Sequence, residues 1–105
     1  MDVLILFEVQ TPLGFSVRCT RAYWEFLVTY KHPVLRGREE EVMKALGDPD
    51  EVRQSRTDPK VLLFYKTDGP RRWVCAITRQ ADNHAFLVRA YPTDAIKEGT
   101  RIWPK

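Results

Sequence analysis

Two nearly continuous apolar runs, at residues 61–65 and 73–77, constrain this chain more than any other feature. Between them lies Asp68-Gly69-Pro70, a turn composition that makes the flanking strands antiparallel neighbours. Apolar side chains at successive positions, not alternate ones, predict strands covered on both faces. Further turns at Asp58-Pro59 and Ala81-Asp82-Asn83 extend the pattern to four strands, at residues 51–56, 61–67, 72–79 and 84–91. Helical patterns precede this run and do not alternate with it, which predicts the α+β class.

Upstream, residues 2–10 and 15–19 read as a β-hairpin turned by Thr11-Pro12-Leu13-Gly14. A helix is expected over residues 21–31, capped by Thr20 and stopped by Pro33. Tyr23, Phe26, Leu27 and Tyr30 recur at helical spacing, so they are expected to form its buried stripe. A second helix is expected over residues 38–46. Glu39, Glu40 and Glu41 sit at its positive end, Val42, Ala45 and Leu46 on its inner side, and Gly47 just past it as a C-cap. The segment 92–98 is expected to open a short C-terminal helix capped by Thr93. The whole is one domain over residues 1–105: an N-terminal β-hairpin, two helices, a mainly antiparallel four-stranded sheet and a short C-terminal helix.

A length of 105 residues with 44% hydrophobic and 11% aromatic side chains excludes a disordered polymer and allows one core without metal or disulfide staples. No apolar run approaches the roughly 18–20 residues of a membrane span. The first such run is flanked by Asp2 and Glu8, not by a basic segment, so a cytoplasmic protein without a membrane partner is expected. Cys19 and Cys75 then read as reduced core residues, with a disulfide as the alternative. Charge is uneven. Residues 1–52 carry 6 basic and 9 acidic side chains, residues 53–105 carry 11 and 5, and the net charge is +3. The basic half suits contact with phosphates, or is an ordinary solvated surface.

Several chemistries lack their residues. Cys19, His32, Cys75 and His84 have no zinc-ligand spacing, so neither metal nor another cofactor is expected. The five glycines are isolated and cradle no phosphate, and Ser16 and Ser55 lie in no nucleophile turn. A polar set remains. His32 lies just past a helix C-terminus, where the dipole is expected to favour imidazolium. Strand alternation puts Arg53 with Ser55, Tyr65 with Leu63 and away from Lys66, and Arg89 with Tyr91 and Leu87. Cleavage of a phosphodiester by the RNA 2′-hydroxyl needs an acid, a base and cationic or hydroxyl donors, which these residue types supply. Each also has an ordinary structural role, as helix-end, strand or surface residue.

Short motifs then recur in a recognisable order: Trp24 followed by Lys31-His32-Pro33, then Leu46-Gly47-Asp48-Pro49-Asp50-Glu51-Val52, Ser55 with Asp58-Pro59, Leu63-Phe64-Tyr65-Lys66, and Ala90-Tyr91-Pro92-Thr93-Asp94. Over residues 20–103 the chain resembles the phage- and toxin-associated nuclease-like proteins of the barnase–EndoU–colicin–RelE (BECR) fold, leaving residues 1–19 as an extra hairpin. The resemblance implies helices packed on a four-stranded antiparallel sheet and a toxin-like, metal-independent RNA endonuclease. It implies His32 as general acid or base, with Arg53, Ser55, Tyr65, Tyr91 and Thr93 as further catalytic residues. Lys66 and Arg89 would contact the substrate. RNA and a neutralising antitoxin or immunity protein are the implied partners. Phe26 stands where the family pattern has a second histidine, and Val34 where it has an acid. A non-catalytic RNA- or protein-binding module and a degenerate nuclease therefore stay as alternatives. The first strand, apolar on most of both faces, suits either a place in the sheet or a homodimer through the N-terminal hairpin.

Overall fold

Thr11 turns the first two strands against each other. Its Oγ1 and its backbone N–H both donate to Phe15 O at 2.9 Å, and Leu13 N donates to Thr11 Oγ1 at 3.2 Å. The computed structural model describes residues 4–96 and 98–105, so Met1–Val3 and Lys97 lie outside the described residues. The elements are β1 (Ile5–Gln10), β2 (Ser16–Thr20), α1 (Arg21–Phe26), a π-helical turn (Leu27–Lys31), a 3₁₀ turn (Pro33–Leu35) and α2 (Glu39–Gly47). Strands β3 (Glu51–Gln54), β4 (Val61–Thr67), β5 (Trp73–Gln80), β6 (Ala85–Thr93) and β7 (Thr100–Trp103) follow.

The α+β class fits, but the four-stranded antiparallel sheet does not. The strands form one seven-stranded mixed sheet in the order β1-β2-β6-β5-β4-β3-β7. Strands β3 to β6 pair antiparallel in sequence, as their short turns require. That meander would leave the outer backbone groups of β6 and β3 without partners, and the flanking segments supply them. Strand β2 adds to β6 in parallel through Val17↔Ala85 and Arg18↔Phe86. Strand β7 adds to β3 antiparallel. The N-terminal hairpin is thus part of the sheet, with Phe7, Val17 and Cys19 buried in its main core.

The tail is a second correction. Pro92 and Thr93 continue β6 instead of opening a helix. Thr93 Oγ1 donates to Ala95 O at 3.1 Å and accepts from Ala95 N at 3.3 Å, a local turn that diverts the chain toward β7.

Both helices cover one face of the sheet, where Val42, Ala45 and Leu46 of α2 and Trp24, Leu27 and Val28 pack on Phe64, Val74 and Ala76. The first helix therefore buries Trp24, Leu27 and Val28, not the expected stripe. Of that stripe only Leu27 is buried, and Tyr30 is 73% exposed. Gly47 ends α2 as its last helical residue, not as a left-handed cap. A Cβ there would lie 3.1 Å from Val9 Cγ1, so the glycine lets β1 approach the helix.

The opposite face carries a smaller core of Leu63, Tyr65 and Cys75, flanked by Trp73, Ile77 and Tyr91 and covered by Ile96 from the β6–β7 connection. That connection closes at Gly99, whose φ is +80° and where a Cβ would lie 2.5 Å from Gln54 O. Cys19 and Cys75 are free thiols on opposite faces, and burial pushes each up to about 12. No helix among the described residues is long and apolar enough to cross a membrane.

Candidate functional site

His32 is placed by an irregular end to the first helix. Pro33 has no N–H, and its ring opposes helical geometry at the residue before it. The helix responds by widening: His32 N donates to Leu27 O at 2.8 Å, five residues back, and His32 adopts φ −139°. The wide turn brings the imidazole to the edge of β6, where its ring centroid lies 5.8 Å from that of Tyr91. Tyr23 secures the same approach further back, its hydroxyl donating to Val88 O at 2.6 Å.

Tyr91 and Arg89 share the outer face by ordinary strand alternation, but β6 is irregular just before them. Ile77 pairs with Arg89 but Thr78 pairs with Leu87, so one extra residue is inserted at Val88. Leu87 is consequently buried in the helix-covered core, and the expected common face of Leu87 with Arg89 and Tyr91 is replaced by opposite faces. Strict alternation cannot reveal a bulge.

The electrostatics reverse the expected effect of the helix dipole. Burial lowers the His32 pKa first, and the positive charges of Arg89 and Lys31 lower it further. These outweigh any preference of the helix end for imidazolium. Tyr91 is pushed the other way by burial, so its phenol stays protonated. The result is a neutral imidazole, a phenol and two cations at one edge of the outer face. An anionic phosphate entering this cluster offsets the cationic charge around His32 and raises its proton affinity, as a general base requires.

Other expected site residues lie elsewhere. Arg89, Ile77, Leu63 and Arg53 form one cross-strand row, placing Arg53 three strand spacings from Arg89, about 14 Å. Arg53 is also engaged, with Glu51 Oε2 at 2.7 Å from Nη1 and Gly99 O at 2.9 Å from Nη2. Ser55 falls past the end of β3, so the expected 51–56 strand stops at Gln54. Its Oγ accepts from Thr57 N and Asp58 N, each at 3.3 Å. Tyr65 is 1% exposed beneath the β6–β7 connection, and burial raises its pKa strongly. Lys66 points to the helix-covered face, 3.2 Å from Asp48 and 3.6 Å from Asp50. Thr93 stands on the Tyr91 side of the molecule, paired with Trp73, with its hydroxyl held in the turn.

The structure therefore brings together His32, Arg89 and Tyr91, with Thr93 two residues further along β6. It does not bring Arg53, Ser55, Tyr65 or Lys66 to them as accessible groups. Lys31 was missed, although its position beside His32 was a visible signal. His84 packs edge-on against Phe86 at 4.9 Å, near the opposite end of β6. No group of three or more His, Cys, Asp or Glu side chains among the described residues is arranged to hold a metal.

No protein-family model matches the chain, no curated protein matches it, and no solved structure matches it. The likeness to BECR nuclease-like proteins rests on the ordered motifs alone.

Proposed function

We propose that this protein is an RNA endonuclease that works by general acid–base catalysis without a metal, in the manner of the toxin-like proteins it resembles. The observation that carries this reading is the neutral imidazole of His32 beside Tyr91, flanked by Arg89 and Lys31. In this reaction His32 removes the proton of the RNA 2′-hydroxyl, and that oxygen attacks the adjacent phosphorus. The bond from phosphorus to the 5′-oxygen breaks, leaving a 2′,3′-cyclic phosphate and a 5′-hydroxyl. Arg89 stabilises the charge that builds on the phosphorane. Tyr91 seats the imidazole, and its phenol supplies a proton for the leaving oxygen. Transfer to an alkoxide is downhill even from a phenol of raised pKa. A neutralising protein partner would act by covering this edge of β6.

The test is total RNA incubated with wild type, His32→Ala and Arg89→Ala in excess EDTA. Wild type is expected to give fragments ending in cyclic phosphate, and His32→Ala none. Intact RNA with folded wild type, or equal cleavage by His32→Ala, sinks the proposal.

One observation favours a second reading, a non-catalytic RNA-binding module on the same surface. Arg53 and Ser55, the strand residues the family resemblance assigns to catalysis, are engaged in structural hydrogen bonds away from His32. Intact RNA combined with salt-sensitive RNA affinity is the outcome that selects this reading.

A further inference from the structure

The first helix carries more aromatic surface than the core can take. Trp24 is buried on one side, while Tyr23, Phe26 and Tyr30 stand outside at 36%, 40% and 73% exposure. They are not scattered. The Tyr23 and Phe26 rings stack at 5.8 Å with 30° between planes, and Phe26 and Tyr30 follow at 5.6 Å. Lys31 Nζ lies 5.9 Å from the Phe26 ring centroid, a cation on the aromatic run. The three- and four-residue steps from Tyr23 to Phe26 to Tyr30 keep this line on one side of the helix. The same line ends beside His32. At its other end, Tyr23 lines a cleft of about 310 Å³ with Arg18, Phe86 and Val88.

We infer that Tyr23, Phe26 and Tyr30 form a stacking platform for the unpaired bases of single-stranded RNA, next to the phosphate-facing cluster of His32 and Arg89. The inference rests on the proposed function and names its substrate class. Three observations select this occupant. Ring faces lie beside cations, which complements a chain of flat bases joined by phosphates. The acid on the same helix, Glu25, is paired with Arg36 at 3.2 Å. The line is continuous with the His32 cluster, so a strand lying along it delivers a phosphate there. Seven residues of helical rise give the line a length of about 10 Å, the span of roughly three stacked nucleotides. Duplex RNA keeps its base faces covered and has nothing to offer the platform.

The experiment uses a fluorescein-labelled ten-residue 2′-O-methyl oligouridylate, which has no free 2′-hydroxyl and cannot be cleaved. Anisotropy titration of wild type is compared with Tyr30→Ala, with Phe26→Ala/Tyr30→Ala and with Phe26→Trp/Tyr30→Phe, each folded by circular dichroism. Loss of stacking is expected to weaken binding about 5- to 10-fold in the single alanine variant and more than tenfold in the double one. The aromatic replacements are expected to restore it, and the probe annealed to its complement to bind at least tenfold more weakly. Equal affinity of wild type and the double alanine variant overturns the inference, as does equal affinity for the duplex. So does a wild type that ignores the probe and instead self-associates through these rings in sedimentation. Ring-dependent binding by a protein that leaves RNA intact removes the nuclease reading while the platform stands. Unchanged binding by the double alanine variant of an active nuclease does the reverse.

Discussion

The two ends of the outer sheet face carry similar side chains and treat them differently. At the β3 end, Arg53 is tied to Glu51 and to the carbonyl of Gly99, and Ser55 caps a turn. At the β6 end, Arg89 is exposed and the His32 ring is half-buried against Tyr91. A guanidinium with its donors satisfied by the protein is part of the scaffold, whereas one facing solvent beside a neutral imidazole is available to a ligand. Residue type nominates both ends, and hydrogen-bond occupancy separates them.

The largest expected effect tests the β6 end. His32→Ala is expected to lower the cleavage rate by about 10²–10⁴, the usual contribution of a general base, with unchanged thermal stability at neutral pH. Single-turnover cleavage of a labelled RNA measures it, and a loss below threefold assigns the chemistry elsewhere.

At the β3 end the expected effects fall on stability. Gly99→Ala forces a Cβ into φ +80° and against Gln54 O, so it is expected to cost more than about 2 kcal/mol, a drop of roughly 10 °C in melting temperature. Arg53→Ala removes three hydrogen bonds of the same junction and is expected to cost about 1–3 kcal/mol. Folded Arg53→Ala is expected to retain wild-type cleavage at 20 °C. A hundredfold loss of cleavage without destabilisation would reinstate Arg53 as a catalytic group and erase the contrast between the two ends.

How much of this was legible in the sequence follows the range of the interactions. The meander β3 to β6 was readable because its turns are short and its apolar runs are local. The addition of β2 to β6 was not, since Val17 and Ala85 lie far apart in the chain and parallel pairing has no turn to announce it. Likewise nothing local marks the bulge at Val88. The first helix misled for another reason. Its segment 22–30 is apolar at seven of nine positions, so two stripes competed, and tertiary packing chose Trp24, Leu27 and Val28. Such surplus was itself a signal, because a helix apolar on all sides needs a second partner. His32 is legible as a residue beside a helix end, yet the sign of its pKa shift is set first by burial in the fold and then reinforced by Arg89, 57 positions away.

A smaller effect sharpens that point through pH. With His32 lowered by burial and then by Arg89 and Lys31, the acid limb of kcat/KM is expected to have its midpoint below the ordinary histidine value of 6.5. Arg89→Ala is expected to move the midpoint upward. Linkage runs the same way: the unfolded chain protonates this histidine more readily, so stability is present above about pH 6.5 and declines as pH falls toward the folded pKa. A midpoint at or above 6.5 that Arg89→Ala leaves in place removes His32 from the role of base.

The smallest expected effect lies on the other face of the sheet. Lys66 reaches Asp48 and Asp50 near the end of α2, and those carboxylates hold its pKa up, the hydrogen bond it donates to Asp48 contributing most. Asp50 is held down chiefly by the hydroxyl and backbone N–H of Thr67, at 2.7 and 2.6 Å, and only secondarily by Lys66. Removing the lysine therefore leaves Asp50 most of its stabilisation. Lys66→Ala is expected to cost less than about 1 kcal/mol, less still in high salt, as partly solvated pairs do. Its cleavage rate is expected to match wild type, because Lys66 points to the face of the sheet opposite Tyr91. A tenfold fall in cleavage with intact stability would mean that RNA wraps onto the helix-covered face, and the division of labour between the two ends of the outer face would no longer describe the site.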